Sequence, residues 1–186
     1  PVFPTFRHDN AIKTEDNQKF KSYITKLEEV TGHTIGNYTS LIEAMDSRHS
    51  FFHDNGCRLS DHGLERFYFF TVTATEADNI LKKLIKGDSI SVEESEKYKT
   101  AVMLELCRMN HKRGWVQQFH VGAMRNNNSR MFREMGPDTG WDSIGAPQDA
   151  LKMSRFLSSL DDTGQLAKTI LYNLNPADNE MMITMA

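Results

Sequence analysis

The sequence is poor in the features that mark specialised classes of protein. It has only two cysteines, Cys57 and Cys107, far apart and in apolar surroundings. No disulfide framework is expected from such a pair, and both read as reduced, buried thiols of a cytoplasmic protein. Positive charge is not in excess: 22 Lys and Arg against 25 Asp and Glu leave a formal net charge of -3. The basic residues are scattered, so no nucleic acid partner is expected. No apolar run approaches the roughly 20 residues that cross a bilayer and no signal peptide opens the chain, so no membrane partner is expected either. There is no Gly-rich phosphate loop and no low-complexity tract. What remains, 186 residues with 39% hydrophobic content, suits one medium-sized globular unit.

The apolar pattern divides into short strand-like runs separated by amphipathic helices. Val2 to Phe6 reads as a short buried strand, followed by the polar Arg7, His8 and Asp9. A helix is expected from Thr14, whose hydroxyl would cap it, with Phe20, Tyr23, Ile24 and Leu27 on its apolar face. A second helix carries Leu41, Ile42, Met45, His49 and Phe52 and stops at Asn55-Gly56. "CRLSDHG" is a second strand, residues 67–113 are helical in tone with a serine cap at Ser91, "WVQQFHVGAM" is a third strand, "DALKMSRFLSSLDDTG" a helix and "KTILYNLNPADNE" a fourth strand. The chain begins on "PVFPTF" inside a strand-like run and stops on "DNEMMITMA" inside a helical one, which suggests an excised piece of a longer protein.

Strands alternating with helices predict an α/β fold with parallel βα units. Each strand is followed by a polar cluster, as in the catalytic rim of a TIM (β/α)8 barrel, where the site forms at the carboxyl ends of the strands. A doubly wound open sheet places its ligand crevice at the same ends and stays as the alternative. His120 is the histidine best placed to reach a metal or a substrate hydroxyl from within a barrel, although a lone histidine on an apolar strand is more often hydrogen-bonded core. Asp61 and His62 are either a proton-relay pair or a turn. Arg125 and Asn126 to Asn128 are either ligand contacts or a capped loop. Asp178 reads as a cap of the terminal helix. His8, His33, His49, His53 and His111 read as surface or helix-face residues, and the stripe from Met103 to Met109 as core.

"FRHDNA", "GCRLSDHGL", "GWVQQFHVGAMRNNNSRMF", "GPDTGWDSI" and "KTILYNLNPADNE" resemble, in order and spacing, blocks of the uronate (glucuronate) isomerase family. The resemblance runs along nearly the whole chain, and the "WVQQFHVGAMRNNN" and "LNPADNE" blocks are its specific parts. It implies an amidohydrolase-like barrel, of which this chain covers about the third to sixth strands, with 67–113 as a helical insertion. It also implies aldose-ketose isomerisation of a uronic acid, D-glucuronate with D-fructuronate and D-galacturonate with D-tagaturonate. By the same resemblance Arg7 is expected to contact substrate, the alternative being that it merely pairs with Asp9 or Asp61; Arg125, Asn126 and Asn175 are expected to contact substrate from their places at the carboxyl ends of the strands. The resemblance implies that His120 is catalytic and also a metal ligand, and Asp61 and His62, if they form the proton-relay pair, are expected to be catalytic with it. The divalent metal, expected to be zinc, belongs to the full-length parent and is not expected in this piece, because the family's His-x-His pair and last-strand aspartate do not occur here. The isolated piece is therefore expected to be inactive. Its unpaired sheet edges, Val2 to Phe6 and Thr169 to Leu174, are expected to make it a homo-oligomer. The competing function is a non-catalytic binding or interaction domain whose helical segment does the work.

Overall fold

The computed structural model describes residues 2–185. Side-chain caps set where the helices begin. Helix α1 (Asn17–Thr31) starts at Asp16, whose carboxylate accepts hydrogen bonds from the amides of Gln18 and Lys19. Thr14 is not the cap: a carboxylate two residues later holds two free amides at once and complements the helix dipole, while the Thr14 hydroxyl pairs with Ser95 at 2.6 Å. Helix α2 (Tyr38–Asp54) opens on a reciprocal capping pair, Asn37 with Ser40, and ends at Asn55 as the sequence predicts. Strand β1 (Leu59–Leu64) follows. Helices α3 (Ala74–Lys86) and α4 (Val92–Lys112) begin at the capping boxes Thr73–Glu76 and Ser91–Glu94. Both lie in the segment expected to be an insertion, and α4 runs directly into strand β2 (Val116–Val121) and packs on it.

Beyond β2 come a two-residue antiparallel pair, β3 (Ala123–Met124) with β4 (Ser143–Ile144), and between them the short helix α5 (Ser129–Met135). Helix α6 (Ala150–Asp161), strand β5 (Lys168–Asn173) and helix α7 (Asn179–Met185) complete the chain. The main sheet is parallel in the order β1-β2-β5, with Leu59 opposite Val116 and Val116 opposite Lys168. Each strand thus neighbours the next in sequence, with no reversal of winding. The expected strand Val2 to Phe6 is reduced to one bridge: Phe6 donates to the Leu59 carbonyl and accepts from the Asp61 amide, both at 3.1 Å. Pro4 has no amide to extend the ladder, and Val2 and Phe3 are exposed.

Strand alternation gives the sheet two unlike faces. Ser60, His62 and Leu64 of β1 and Gln117, Phe119 and Val121 of β2 are buried beneath the helices. Phe119 packs against Phe67 and Phe156, with ring centroids 5.2 and 6.2 Å away, a burial worth about 2–3 kcal/mol. Met103, Leu106, Cys107 and Met109 of α4 join that core, and both cysteines are free and buried. The other face, with Asp61, Gly63, His120, Ile170 and Tyr172, is not covered by helices and holds the polar chemistry. Among the described residues no helix is long and apolar enough to cross a membrane.

Candidate active site

The parallel strands deliver their side chains to the open face at the carboxyl end of the sheet. A cavity of about 620 Å³ lies there, and Arg7, Asp9, Gly63, His120, Arg125 and Asn126 are among the residues that line it. Asp61 lies behind this lining, in contact with two of its residues. Arg7 Nη1 is 3.4 Å from Asp61 Oδ2, and His120 Nδ1 is 2.7 Å from Asp61 Oδ1. The second approach is close but not aligned as a hydrogen bond, and Asp61 Oδ1 has no aligned donor among the described residues. With Nδ1 turned to Asp61, the far nitrogen Nε2 is the one His120 offers to a ligand. The His120 ring stacks on Tyr172, its register partner on β5, with centroids 4.4 Å apart and planes 5° from parallel.

Asp61 and His62 do not form a pair. Neighbouring residues of a strand point to opposite faces, so Asp61 joins the open face and His62 is fully buried on the helix side, its Nδ1 3.0 Å from Asp9 Oδ1. His8 and His49, expected at the surface or on a helix face, are likewise buried. His49 Nε2 pairs with Asn110 Oδ1 at 2.9 Å, and His8 has no hydrogen-bond partner among the described residues. Burial holds the His49 imidazole down at about 4 and pushes His8 well below its ordinary value, His62 adding to the latter. His53 accepts a hydrogen bond from the Trp115 indole at 2.9 Å.

The loop after β2 is tied by its own contacts. Arg125 pairs with Asp142, which also accepts from the Asn126 amide at 2.9 Å. That bond holds Asn126 at a positive φ of 56°, a conformation asparagine tolerates better than most residues. Asn127 bonds Met124 O and Ser143 Oγ, and Asn128 caps α5. Arg125 and Asn126 therefore line the cavity while engaged in loop structure. Asn175 lies outside that lining and is 9% exposed; its side chain accepts from the Ala177 amide to cap a short 3-10 turn, Pro176–Asp178. Asp178 does not cap the terminal helix. It is buried and accepts from the Gln148 amide at 3.1 Å, fastening the segment before α6.

Sequence reasoning missed two participants, Gly63 and Tyr172, and named Asp9 only as a pairing partner of Arg7, which the structure bears out. Asp9 had only the Arg-x-Asp spacing as a signal, and Tyr172 only its alternation with Ile170. No local pattern marks Gly63.

The profile of the glucuronate isomerase family matches residues 1–186. The chain belongs to that family. It is 48% identical over 184 residues to a uronate isomerase of Cellvibrio japonicus, covering 99% of this chain and 39% of that protein. With the uronate isomerase of Flavobacterium johnsoniae it shares 49% over 180 residues, 97% of this chain and 38% of that one. The crystal structure of a uronate isomerase from Thermotoga maritima superposes with a TM-score of 0.93 at 29% identity, over 100% of this chain and 40% of that chain. That of a glucuronate isomerase from Caulobacter crescentus gives 0.85 at 26%, over 95% and 36%. The chain thus spans about two fifths of the length of these relatives. Among its described residues no group of three His, Cys, Asp or Glu side chains is arranged to hold a metal ion. These residues on their own do not fit a metal centre.

Proposed function

We propose that this chain supplies one sector of the active site of a uronate isomerase that interconverts D-glucuronate with D-fructuronate and D-galacturonate with D-tagaturonate. The observation that carries the reading is the meeting of Arg7, Asp61 and His120 on the open face beside one cavity. A uronate differs from a neutral sugar by its carboxylate, and a guanidinium with its terminal nitrogens toward the cavity is a planar, two-pronged partner for that group. Isomerisation must also move a proton between two sugar oxygens and hydrogen between two carbons. A histidine backed by a carboxylate suits the proton transfers, taking and returning a proton at Nε2 while Asp61 stabilises the charged ring. Tyr172, stacked face to face on the ring, restricts its rotation. Arg125 and Asn126 stand at the mouth, where a substrate hydroxyl could reach them.

We read the parallel sheet as part of a (β/α)8 barrel of the amidohydrolase-like type, about its third to sixth strands, with the open face as the barrel interior. Sequential strand order and helices on one face support this over a doubly wound sheet, which covers both faces. A divalent metal in the whole protein, zinc being the expected ion, would take most of its ligands from elsewhere, with His120 Nε2 the candidate from this chain. We place the protein in the cytoplasm, where two unpaired buried thiols are at home, and expect it to be a homo-oligomer.

The test is ketouronate formation from D-glucuronate by the full-length protein that carries this chain. His120→Asn is expected to lower kcat by about 10²–10⁴-fold with a small change in melting temperature. Arg7→Lys is expected to raise KM by about tenfold or more, since the charge stays and the fork is lost. A wild-type protein that turns over neither uronate would sink the proposal.

A further inference from the structure

We propose that Asp9 is a positioning residue for the Arg7 guanidinium, fixing its terminal nitrogens toward the cavity; this rests on the uronate reading above. Asp9 sits between core and cavity, 7% exposed, and both its oxygens are held. From the core side, Oδ1 takes His62 Nδ1 at 3.0 Å and Oδ2 takes the Gly63 amide at 2.9 Å. From the cavity side, Oδ2 takes Arg7 Nε at 3.1 Å.

The choice of nitrogen matters. A carboxylate that bound Arg7 through both terminal nitrogens would occupy the fork that a substrate carboxylate needs. Bound through Nε, Arg7 has no hydrogen-bond partner at Nη2 among the described residues, and its Nη1 makes only the looser 3.4 Å ion pair with Asp61. Because the Asp9 carboxylate cannot rotate between two fixed donors, the direction of the Nε bond is set. An arginine side chain would otherwise lose rotamer entropy on binding, and half of this side chain is exposed. Gly63 completes the seat. A Cβ built there would collide with Arg7 Nη2, so the guanidinium lies over a strand position that only glycine leaves open.

The carboxylate stays charged in this seat. Burial alone would raise its pKa, but the bonds from His62, the Gly63 amide and Arg7 outweigh burial and hold it down at about 2.

The experiment uses the full-length protein and D-glucuronate. Asp9→Asn, nearly isosteric, is expected to raise KM about tenfold or more while kcat changes less than about threefold, the pattern of lost binding rather than lost chemistry. Arg7→Met is expected to raise KM at least as much. Asp9→Asn added to Arg7→Met should then cost less than about a further twofold, because the carboxylate acts through the guanidinium. A wild-type KM in Asp9→Asn, or single effects that multiply in the double variant, overturns the assignment and leaves the uronate reading intact. A wild-type enzyme without uronate turnover overturns both. If Asp9→Asn does not fold, Gly63→Ala displaces the same guanidinium with the carboxylate in place: a comparable rise in KM supports the seat, and an unchanged KM overturns it.

Discussion

His8 brings two ring nitrogens into the core, and neither has a hydrogen-bond partner among the described residues. Its ring lies 4.6 Å from Phe6 and 4.6 Å edge-on from His62, so it packs as an aromatic and must stay neutral. Burial first, and then the nearby His62, drive its pKa well below the ordinary 6.5. A folded value below the unfolded one means that the unfolded chain binds more protons. The stability this neutral ring permits is complete above about pH 6.5 and is lost as pH falls toward the folded value. His49, held near 4 by burial, acts in the same direction between about pH 6.5 and 4. His8→Phe is therefore expected to leave stability at pH 7 within about 1 kcal/mol and to flatten the decline in melting temperature between pH 6.5 and 4. An unchanged slope in a pH series of thermal unfolding would show that His8 is not one of the groups responsible. The residue scale is also where the sequence is least legible. His120 stands out because it lies mid-strand among apolar neighbours, and His49 because it recurs with the apolar face of its helix, whereas the burial of His8 comes from elements distant in the chain. Asp61 and His62 are adjacent in sequence, and the period of two in a strand separates them in space.

Elements are more legible, because their signals are local. Capping pairs such as Ser91 with Glu94, and the stop at Asn55-Gly56, mark helix ends within a few residues. The β3–β4 pair and α5 escape notice because two-residue strands and a seven-residue helix leave no period to detect. How the elements dock depends on buried polar contacts that no periodicity predicts. Asn110, near the end of α4, donates to Ser60 Oγ of β1 at 2.9 Å and Gln117 Oε1 of β2 at 3.3 Å, and its Oδ1 meets His49 of α2. Gln117 continues to Thr169 of β5 at 2.9 Å. Two helices and three strands are thereby tied at one buried point. Asn110→Leu keeps the volume but strands three polar partners in the core, each costing roughly 1–3 kcal/mol when left unsatisfied. A loss of about 3 kcal/mol or more is expected in chemical denaturation. A loss below about 1 kcal/mol would mean that the network adapts and does not fix the docking.

At the scale of the whole molecule, the unmatched feature is the open face and the free edge of β5. Ile170, Tyr172 and Leu174 are 41%, 43% and 47% exposed, and β5 has a strand partner on one side only among the described residues. The opposite end of the sheet is blunted, because only Phe6 pairs there and Pro4 interrupts the ladder. Asymmetric edges of this kind concentrate association at one strand, since a free, partly apolar edge is a template for another chain. This chain by itself is expected to self-associate through β5, giving a molar mass by light scattering above 21.3 kDa that rises with concentration. Ile170→Lys with Tyr172→Lys puts two charges on that strand and is expected to return the chain to a monomer. A strictly monomeric parent chain at about 100 µM would remove β5 as an adhesive edge. The same two lysines have the opposite consequence in the full-length protein: if the open face is a barrel interior, they bury two charges there. The enzyme is then expected to lose several kcal/mol of stability. Retention of wild-type stability with both lysines present would show that this face stays in water, which an enclosed barrel does not permit.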